Sequence, residues 1–386
     1  MLILSIIQYT LLIASVMGLV YYLFSLVAAG TFFLMHSEKQ SNRLPPVSVM
    51  VPLCGEDIEA FERFCSLCSQ DYRDYQVVFG VRDFDDPVVP VIRQLEARFP
   101  ERDIQLIISK GTIGSNLKVC NLENMLAGAK YEHLVILDSD IRVGKDYLRT
   151  IVSPLTDPHV GLVTCLYRSS RTPNLVSRLE ALGISAELMP GVLVSRLIEG
   201  VQFALGATMA TTRSRVEMIG GFQGIANHLA DDYMLGHLLA KAGYEIYLAS
   251  YVVETLQPAV SFSAMLKHQV RLARGIRACR PWGYLGLILT YGAVLSLAYS
   301  MSSGFSFSSL VFLGGATVLR MFAGLVIGGF WLKDPIVRTH FWLLPLRDLL
   351  GFLVWLISLF GRKVEWRGKV FELQQGGVIT PSGENH

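Results

Sequence analysis

From Leu2 to Met35 the chain carries no charged residue. A helix needs about 20 consecutive apolar residues to cross the hydrocarbon core of a bilayer, so this run can span with length to spare. A cleaved export signal would open on basic residues and have a shorter apolar core. No Lys or Arg precedes this run, which predicts a retained anchor. Lys39 and Arg43 follow it, and basic residues flanking a span favour the cytoplasmic side. The N-terminus is therefore expected outside, with the chain beyond Lys39 in the cytoplasm.

A second apolar block runs from Trp282 to Phe360. Trp282–Tyr299 is uncharged, Met301-Ser302-Ser303-Gly304 reads as a turn, and Phe305–Trp331 is broken only by Arg320. After Lys333-Asp334-Pro335, Thr339–Phe360 is apolar but holds Arg347-Asp348. Such charges at membrane depth are costly, so a span, a re-entrant piece and an interfacial helix are all compatible with it. Arg362, Lys363, Arg367 and Lys369 come next. The basic bias favours a cytoplasmic tail, and so a third segment that does not cross. The chain has 34 basic and 32 acidic residues, 17% charged and 52% hydrophobic. That balance argues against a purely soluble enzyme and against a nucleic-acid binder, which would concentrate basic charge. It also excludes a disordered chain and a small disulfide scaffold.

Between the apolar blocks, short apolar runs alternate with amphipathic stretches. Val47–Val51, Tyr75–Val81, Ile104–Ile108, Leu134–Leu137 and Gly161–Leu166 read as strands. Glu56–Gln70, Pro87–Arg98, Asn116–Ala129 and Asp146–Ser153 read as helices between them. Alternation of this kind predicts an α/β domain with a parallel sheet and helices on both faces. Ligands of such sheets bind beyond the carboxyl ends of the strands. The six cysteines lie in the part placed in the cytoplasm, where thiols stay reduced. Cys65-x-x-Cys68 has no second ligand pair, so packing is its expected role.

Three acidic clusters fall where the sheet rule places chemistry. Asp83, Asp85 and Asp86 follow the Tyr75–Val81 strand, and Asp86, before Pro87, suits a helix start. Asp83, nearest the strand end, can accept hydrogen bonds from a base or sugar. Asp138-Ser139-Asp140 follows Leu134–Leu137. Its i, i+2 spacing points both carboxylates to one side of an extended segment, as hard ligands for Mg²⁺ or Mn²⁺ with substrate phosphates completing the shell. Asp231-Asp232 opens the helical stretch Tyr233–Ala242; one can orient or cap while the other serves as a base. Arg271, Arg274 and Arg277 share one helix face. The first two could face a leaving diphosphate, while Arg277 and Arg280 suit anionic lipid. Neither GxGxxG nor GxxxxGK[ST] follows the first strand, which argues against a dehydrogenase or a P-loop NTPase.

In order, the chain presents Val47-Ser48-Val49-Met50-Val51-Pro52, Val81-Arg82-Asp83, Asn116-Leu117-Lys118, Asp138-Ser139-Asp140-Ile141-Arg142-Val143, Gly220-Gly221-Phe222, Asp231-Asp232-Tyr233 and the Arg271 region. This set resembles the ceramide glucosyltransferase family of inverting, GT-A-fold glycosyltransferases, whose bacterial members include hopanoid biosynthesis-associated glycosyltransferases. The resemblance implies a GT-A Rossmann-like nucleotide-sugar domain over residues 42–280, an anchor over 1–36, membrane helices over 281–361 and a polar tail over 362–386. It implies that Asp83 contacts the uracil nucleoside of a UDP-sugar, that Asp138 and Asp140 act with the divalent metal, and that Asp232, preceded by Asp231, is the catalytic base. Asn116 and Lys118 are implied near the donor. The family's last signature aligns on His268, Arg271 and Leu272; only the arginine is kept.

The chemistry agrees with this assignment. The leaving diphosphate must be neutralised, the acceptor hydroxyl must lose a proton, and water must be kept out. A lipid acceptor is expected because Gly183–Ala210 is unusually apolar and could lie as a helix on the bilayer surface; the resemblance implies that this lipid is ceramide or a hopanoid. The rivals are a processive polysaccharide synthase, which shares the aspartates, and a membrane-anchored sugar-nucleotide sensor without activity.

Overall fold

The computed structural model describes residues 2–35, 39, 41, 44–55 and 59–382. Its strands are β1 (Val47–Pro52), β2 (Tyr75–Val81), β3 (Asp103–Ile108), β4 (His133–Leu137), β5 (Ile141–Arg142), β6 (Val160–Arg171), β7 (Thr208–Thr212), β8 (Glu245–Leu256), β9 (Lys363–Trp366), β10 (Lys369–Leu373) and β11 (Ile379–Pro381). The helices that surround the sheet are α1 (Leu2–Met35), α2 (Ala60–Cys68), α3 (Val89–Arg98), α4 (Leu117–Leu126), α5 (Tyr147–Val152), α6 (Leu175–Gly183), α7 (Met189–Glu199), α8 (Arg213–Met218) and α9 (Asp231–Lys241). They continue with α10 (Phe262–Cys279), α11 (Pro281–Gly286), α12 (Gly292–Ser302), α13 (Phe307–Gly324), α14 (Pro335–His340) and α15 (Leu344–Ser358).

Eight strands form one sheet in the order β3-β2-β1-β4-β7-β6-β8-β5. β1, β2, β3 and β4 are parallel to their neighbours, as the alternation predicts. The sheet is not parallel throughout, however. β7 enters antiparallel between β4 and β6, and β5 is antiparallel to β8. Two antiparallel steps leave β6 running the same way as β4, so their carboxyl ends share an edge with the start of β7. The expected helix from Glu56 is seen from Ala60, with Glu59 in the left-handed region as its N-cap; residues 56–58 and Arg43 lie outside the described residues. The near-continuous apolar strands bury both faces. Phe64, Phe79, Ile92 and Tyr147 fill one side with α2, α3 and α5, and Met50, Leu122, Phe222 and Leu239 fill the other with α4 and α9.

Gly183–Ala210 is not one helix. α6 and α7 are joined through a π turn and end at Glu199, and the remainder is a loop feeding β7. Val201–Ala210 is apolar because it enters the middle of a sheet.

Among the described residues, five helical segments are long and apolar enough to cross a membrane: Leu2–Met35, Leu175–Glu199, Pro281–Ser302, Phe307–Trp331 and Pro335–Ser358. α1 crosses α12 at a contact with no room for side chains, since a Cβ on Gly18 would stand 2.4 Å from Gly292 Cα. Small residues of this kind let helices approach closely in lipid. The charges that look costly in sequence find partners across the bundle. Arg320 makes a bidentate pair with Asp348 (2.8 and 2.7 Å), and Arg347 meets Glu187 at 2.9 Å. Glu187 also accepts from the Tyr291 hydroxyl at 2.8 Å. Removing one member of a buried pair leaves an uncompensated charge, at a cost of about 3–5 kcal/mol. Asp348→Ala should therefore lower the thermal midpoint of the detergent-solubilised protein sharply, whereas Arg320→Met with Asp348→Leu should recover most of the loss. Equal midpoints for the single and double variants would show that the loss does not come from the stranded Arg320 charge.

Pro335–Ser358 begins and ends against the sheet domain. At its start, Arg168 of β6 donates to Leu332 O (2.7 Å) and Lys333 O (3.0 Å). At its end, Arg277 of α10 donates to Leu359 O and Gly361 O. The tail then folds, which the sequence reading of a plain polar tail did not anticipate. β9, β10 and β11 form a small antiparallel sheet. It docks on the loop before α9, with Ile379 N donating to Asn227 O (2.7 Å) and Leu229 N donating to Gly377 O (3.0 Å).

Candidate active site

The site lies at the edge shared by the ends of β4 and β6 and the start of β7. β4 is fully buried over Leu134–Leu137, and the chain leaves it through Asp138-Ser139-Asp140. These residues turn rather than extend, with Ile141 N donating to Asp138 O at 3.4 Å. Asp231 and Asp232 form the first turn of α9, where the helix dipole favours negative charge. Asn116 caps α4, accepting from the backbone N–H of Lys118 and Val119.

Three of these separate segments converge on Lys118. Its ammonium lies 2.8 Å from Asp138 Oδ1 and 3.1 Å from Asp231 Oδ2. The Asn116 amide reaches Asp231 Oδ1 at 3.4 Å and His228 O at 2.8 Å. Burial alone would lower the Lys118 pKa; the charges of Asp138, Asp231 and Asp232 override it and hold the ammonium above its ordinary value. Asp232 is displaced in the opposite sense for a carboxylate, up to about 6. Desolvation is the main cause and the Asp231 charge adds to it, against Lys118 and the Tyr233 N–H, which donates to Asp232 Oδ1 at 2.7 Å.

Gly206, just before β7, closes the cluster. A Cβ there would stand 3.0 Å from Asp232 Oδ2 and 3.1 Å from Asp138 Oδ2, so the two carboxylates face one point that only a glycine leaves open. Gly206→Ala should push both carboxylates aside. The carboxylates need give by only a few tenths of an ångström; since displacing a catalytic group by about 1 Å can cost about 10²-fold in rate, a smaller but measurable loss with a nearly unchanged melting temperature is expected. Wild-type turnover in this variant would mean the point is not used.

Asp140 turns to β8, accepting from the Thr255 hydroxyl. Tyr167 of β6 lies among the carboxylates: desolvation, then the charges of Asp232, Asp140, Asp138 and Glu180, raise its phenol above the ordinary value. Asp83 sits two strands away at the same edge, in a half-exposed loop, with Lys110 at 2.7 Å holding its carboxyl below the usual range. Asp86 takes the helix-start role expected of it, accepting from Val88 N and Gly55 N.

The arginines are placed differently from the expectation of a diphosphate-facing pair. Arg274 donates to Lys363 O, so its guanidinium serves the tail. Arg271 lies over the Trp366 ring at 5.8 Å, and burial lowers its pKa. The aromatic partner missing at Leu272 is thus supplied from β9, a pairing with no local sequence signal. Arg280, expected at lipid, pairs instead with Glu199 at 2.6 Å. Gly206, Tyr167 and Trp366 also escaped the sequence reading, because each acts through a neighbour distant in the chain. None of the six cysteines is in a disulfide, and Cys65 and Cys68 sit on α2 in no metal-binding group among the described residues.

No group of three His, Cys, Asp or Glu side chains gathers in metal-binding proximity among the described residues. The carboxylates of Asp138 and Asp140, two residues apart on the turn that leaves β4, are the hard oxygen donors that suit a divalent ion whose remaining ligands come from substrate and water.

The sequence matches the description "Glycosyl transferase family 21" over residues 10–379. The chain belongs to glycosyl transferase family 21. Similar curated proteins agree with that membership. Ceramide glucosyltransferase 3 of Caenorhabditis elegans is 24% identical over 93% of this chain and 80% of its own length. Ceramide glucosyltransferase 1 of the same organism is 22% identical over 90% and 76%. A solved mannosyltransferase from Pyrobaculum calidifontis, in complex with GDP-Man and Mn²⁺, superposes with a TM-score of 0.54 at 20% identity, covering 92% of this chain and 99% of that one. This family 21 member is therefore a membrane glycosyltransferase with a GT-A-like α/β domain.

Proposed function

We propose that this glycosyltransferase moves a hexose, glucose or N-acetylglucosamine, from a UDP-sugar to a lipid hydroxyl with inversion. The observation that carries the reading is the meeting of Asp138, Asp231, Asp232 and Lys118 in one partly buried cluster. Asp232, with its carboxyl pushed up to about 6, is the base. It takes the acceptor's proton as the acceptor oxygen bonds to the anomeric carbon, and the bond from that carbon to the UDP oxygen breaks with its electrons leaving on UDP. One displacement inverts the centre, and one base suffices. Asp231, held by Asn116 and Lys118, keeps the start of α9 in place. Lys118 supplies positive charge beside the leaving diphosphate. Asp138 and Asp140 would hold Mg²⁺ or Mn²⁺, which neutralises the diphosphate when bound; a bound Mn²⁺ in the solved mannosyltransferase supports this. Asp83 is assigned to the uracil nucleoside.

The catalytic domain faces the cytoplasm in this reading, because Lys39 and the basic face of α10 flank the membrane helices on its side. Pro335–Ser358 then does not cross, since both its ends stay on that side. A processive polysaccharide synthase fits less well. Its Gln-x-x-Arg-Trp signature is not intact here, since His268 and Leu272 stand on either side of Arg271.

The test is a matrix of UDP-sugars against ceramide, hopanoid polyols and diacylglycerol in detergent, with and without Mn²⁺ or Mg²⁺, read by mass spectrometry of the lipid. A glycolipid that depends on the divalent ion is the expected result. Absence of product with every pair would overturn the reading.

A further inference from the structure

A cavity of about 360 Å³ opens between α6 and α10 beside the aspartate turn. Its polar side is Arg63, Asp140, Glu180 and His268, and its apolar side includes Val260, Ala264 and Met265. Glu180 of α6 is almost fully buried and bonds His268 Nδ1 of α10 at 2.7 Å, so one contact ties the two helices together across the cavity. Arg63, buried beneath it, donates to Ser139 O at 3.0 Å, fixing the backbone between Asp138 and Asp140. The inner end of the cavity is thus the metal-binding turn.

The outer end is apolar. Asn174 Nδ2 donates to Val260 O at 3.0 Å, which brings the start of α6 against the start of α10. There Leu175 is 51% exposed and Phe262 48% exposed. Apolar side chains left in the open at two adjoining helix starts suit a bilayer surface. The charge inside also discriminates. Two carboxylates face one guanidinium and an imidazole already bonded to Glu180, so there is no surplus of cations such as a lipid phosphate needs.

We infer that this cavity receives the head of the acceptor, and that the acceptor is a neutral, hydroxyl-bearing lipid whose head hydrogen-bonds the Glu180–His268 pair. The inference rests on the proposed glycosyl transfer and names the substrate class and its entry. Glu180 and His268 are positioning residues: they hold the head so that its hydroxyl points toward Asp232 and do not touch the reacting bond.

The test uses the full chain in detergent with UDP-glucose and short-chain ceramide. Ala264→Trp fills the cavity from an exposed position on α10 and should not disturb folding. It and His268→Ala should each raise the KM for ceramide about tenfold or more with little change in kcat, as lost uniform binding does. The KM for UDP-glucose and the slow hydrolysis of UDP-glucose without acceptor should stay at wild-type values. A raised donor KM, or an unchanged ceramide KM, overturns the inference. Binding is also read without turnover. A ceramide carrying a photoactivatable group should label peptides spanning 175–183 or 256–268, and Ala264→Trp should abolish that labelling; labelling elsewhere overturns the inference. A long-chain lipid phosphate should neither compete for labelling nor accept sugar, and competition by it would overturn the neutral-head assignment. Labelling at the cavity without turnover on any lipid would sink the proposed transfer and leave the binding site standing.

Discussion

Asp232→Asn should lower sugar transfer by about 10²–10⁴-fold, the usual contribution of a positioned general base. Asparagine keeps the size of the side chain and its oxygen can still accept from Tyr233 N–H, so folding and donor affinity should hold. The cost falls on proton removal alone. Measured as kcat at saturating UDP-sugar and lipid, with UDP binding followed by calorimetry, the split between lost turnover and retained affinity identifies the base. A variant that also loses UDP binding would mean Asp232 serves the donor instead. The wild-type pH profile carries the same information. With the Asp232 carboxyl pushed up to about 6, the proposed base acts in its deprotonated form, so transfer should climb as pH rises through about 6 and level off above it. A bound divalent ion adds positive charge nearby and moves that limb to lower pH. In Asp232→Asn the limb should vanish.

Lys118→Met should be the most damaging change outside the base. The ammonium is buried between Asp138 and Asp231, with the Asp232 charge also acting on it. Methionine fills similar space but leaves three carboxylates facing one another without a cation. Removing one partner of a buried ionic cluster costs about 3–5 kcal/mol, enough to threaten a membrane enzyme of ordinary stability. The pH dependence of that cost has a defined sign. Without Lys118 the Asp232 carboxyl, already raised by burial, loses a charge that holds it down, so the stability it contributes is complete at low pH and falls as pH rises through its folded-state value. The gap in melting temperature between variant and wild type should therefore narrow on acidification and widen toward neutrality. A gap independent of pH would assign the loss to packing. Adding Asp231→Asn removes one surplus charge and should restore part of the stability without restoring activity.

Much of this site was legible in the chain. Asp138 follows four buried aliphatic residues, and a carboxylate at such a strand end has few places to go but the sheet's edge. Asp231 and Asp232 open a helix whose capping requirements are local. Asn116 and Lys118 are two residues apart at another helix start, so finding one finds the other. The arginines of α10 were misplaced for a related reason. Helical periodicity showed that they share a face, and only the folded tail revealed what that face meets. Its carbonyls occupy Arg274, and Trp366 covers Arg271. Asp138-Ser139-Asp140 was expected to extend and instead turns, which sends Asp140 to Thr255 and to the cavity beside Glu180.

The sequence by itself determined the membrane helices, the α/β alternation and the carboxylates placed at strand ends, because these follow from local hydrophobic period and from what a buried strand must do when it stops. The tertiary structure decided the partners: Lys118 between two aspartates, Asp348 for Arg320, Glu187 for Arg347, Gly206 beneath Asp138 and Asp232. Each pairing joins segments far apart in the chain. A charge in a low-dielectric interior is stable only beside its counter-charge, so the fold alone, by bringing the segments together, settles which residue that is.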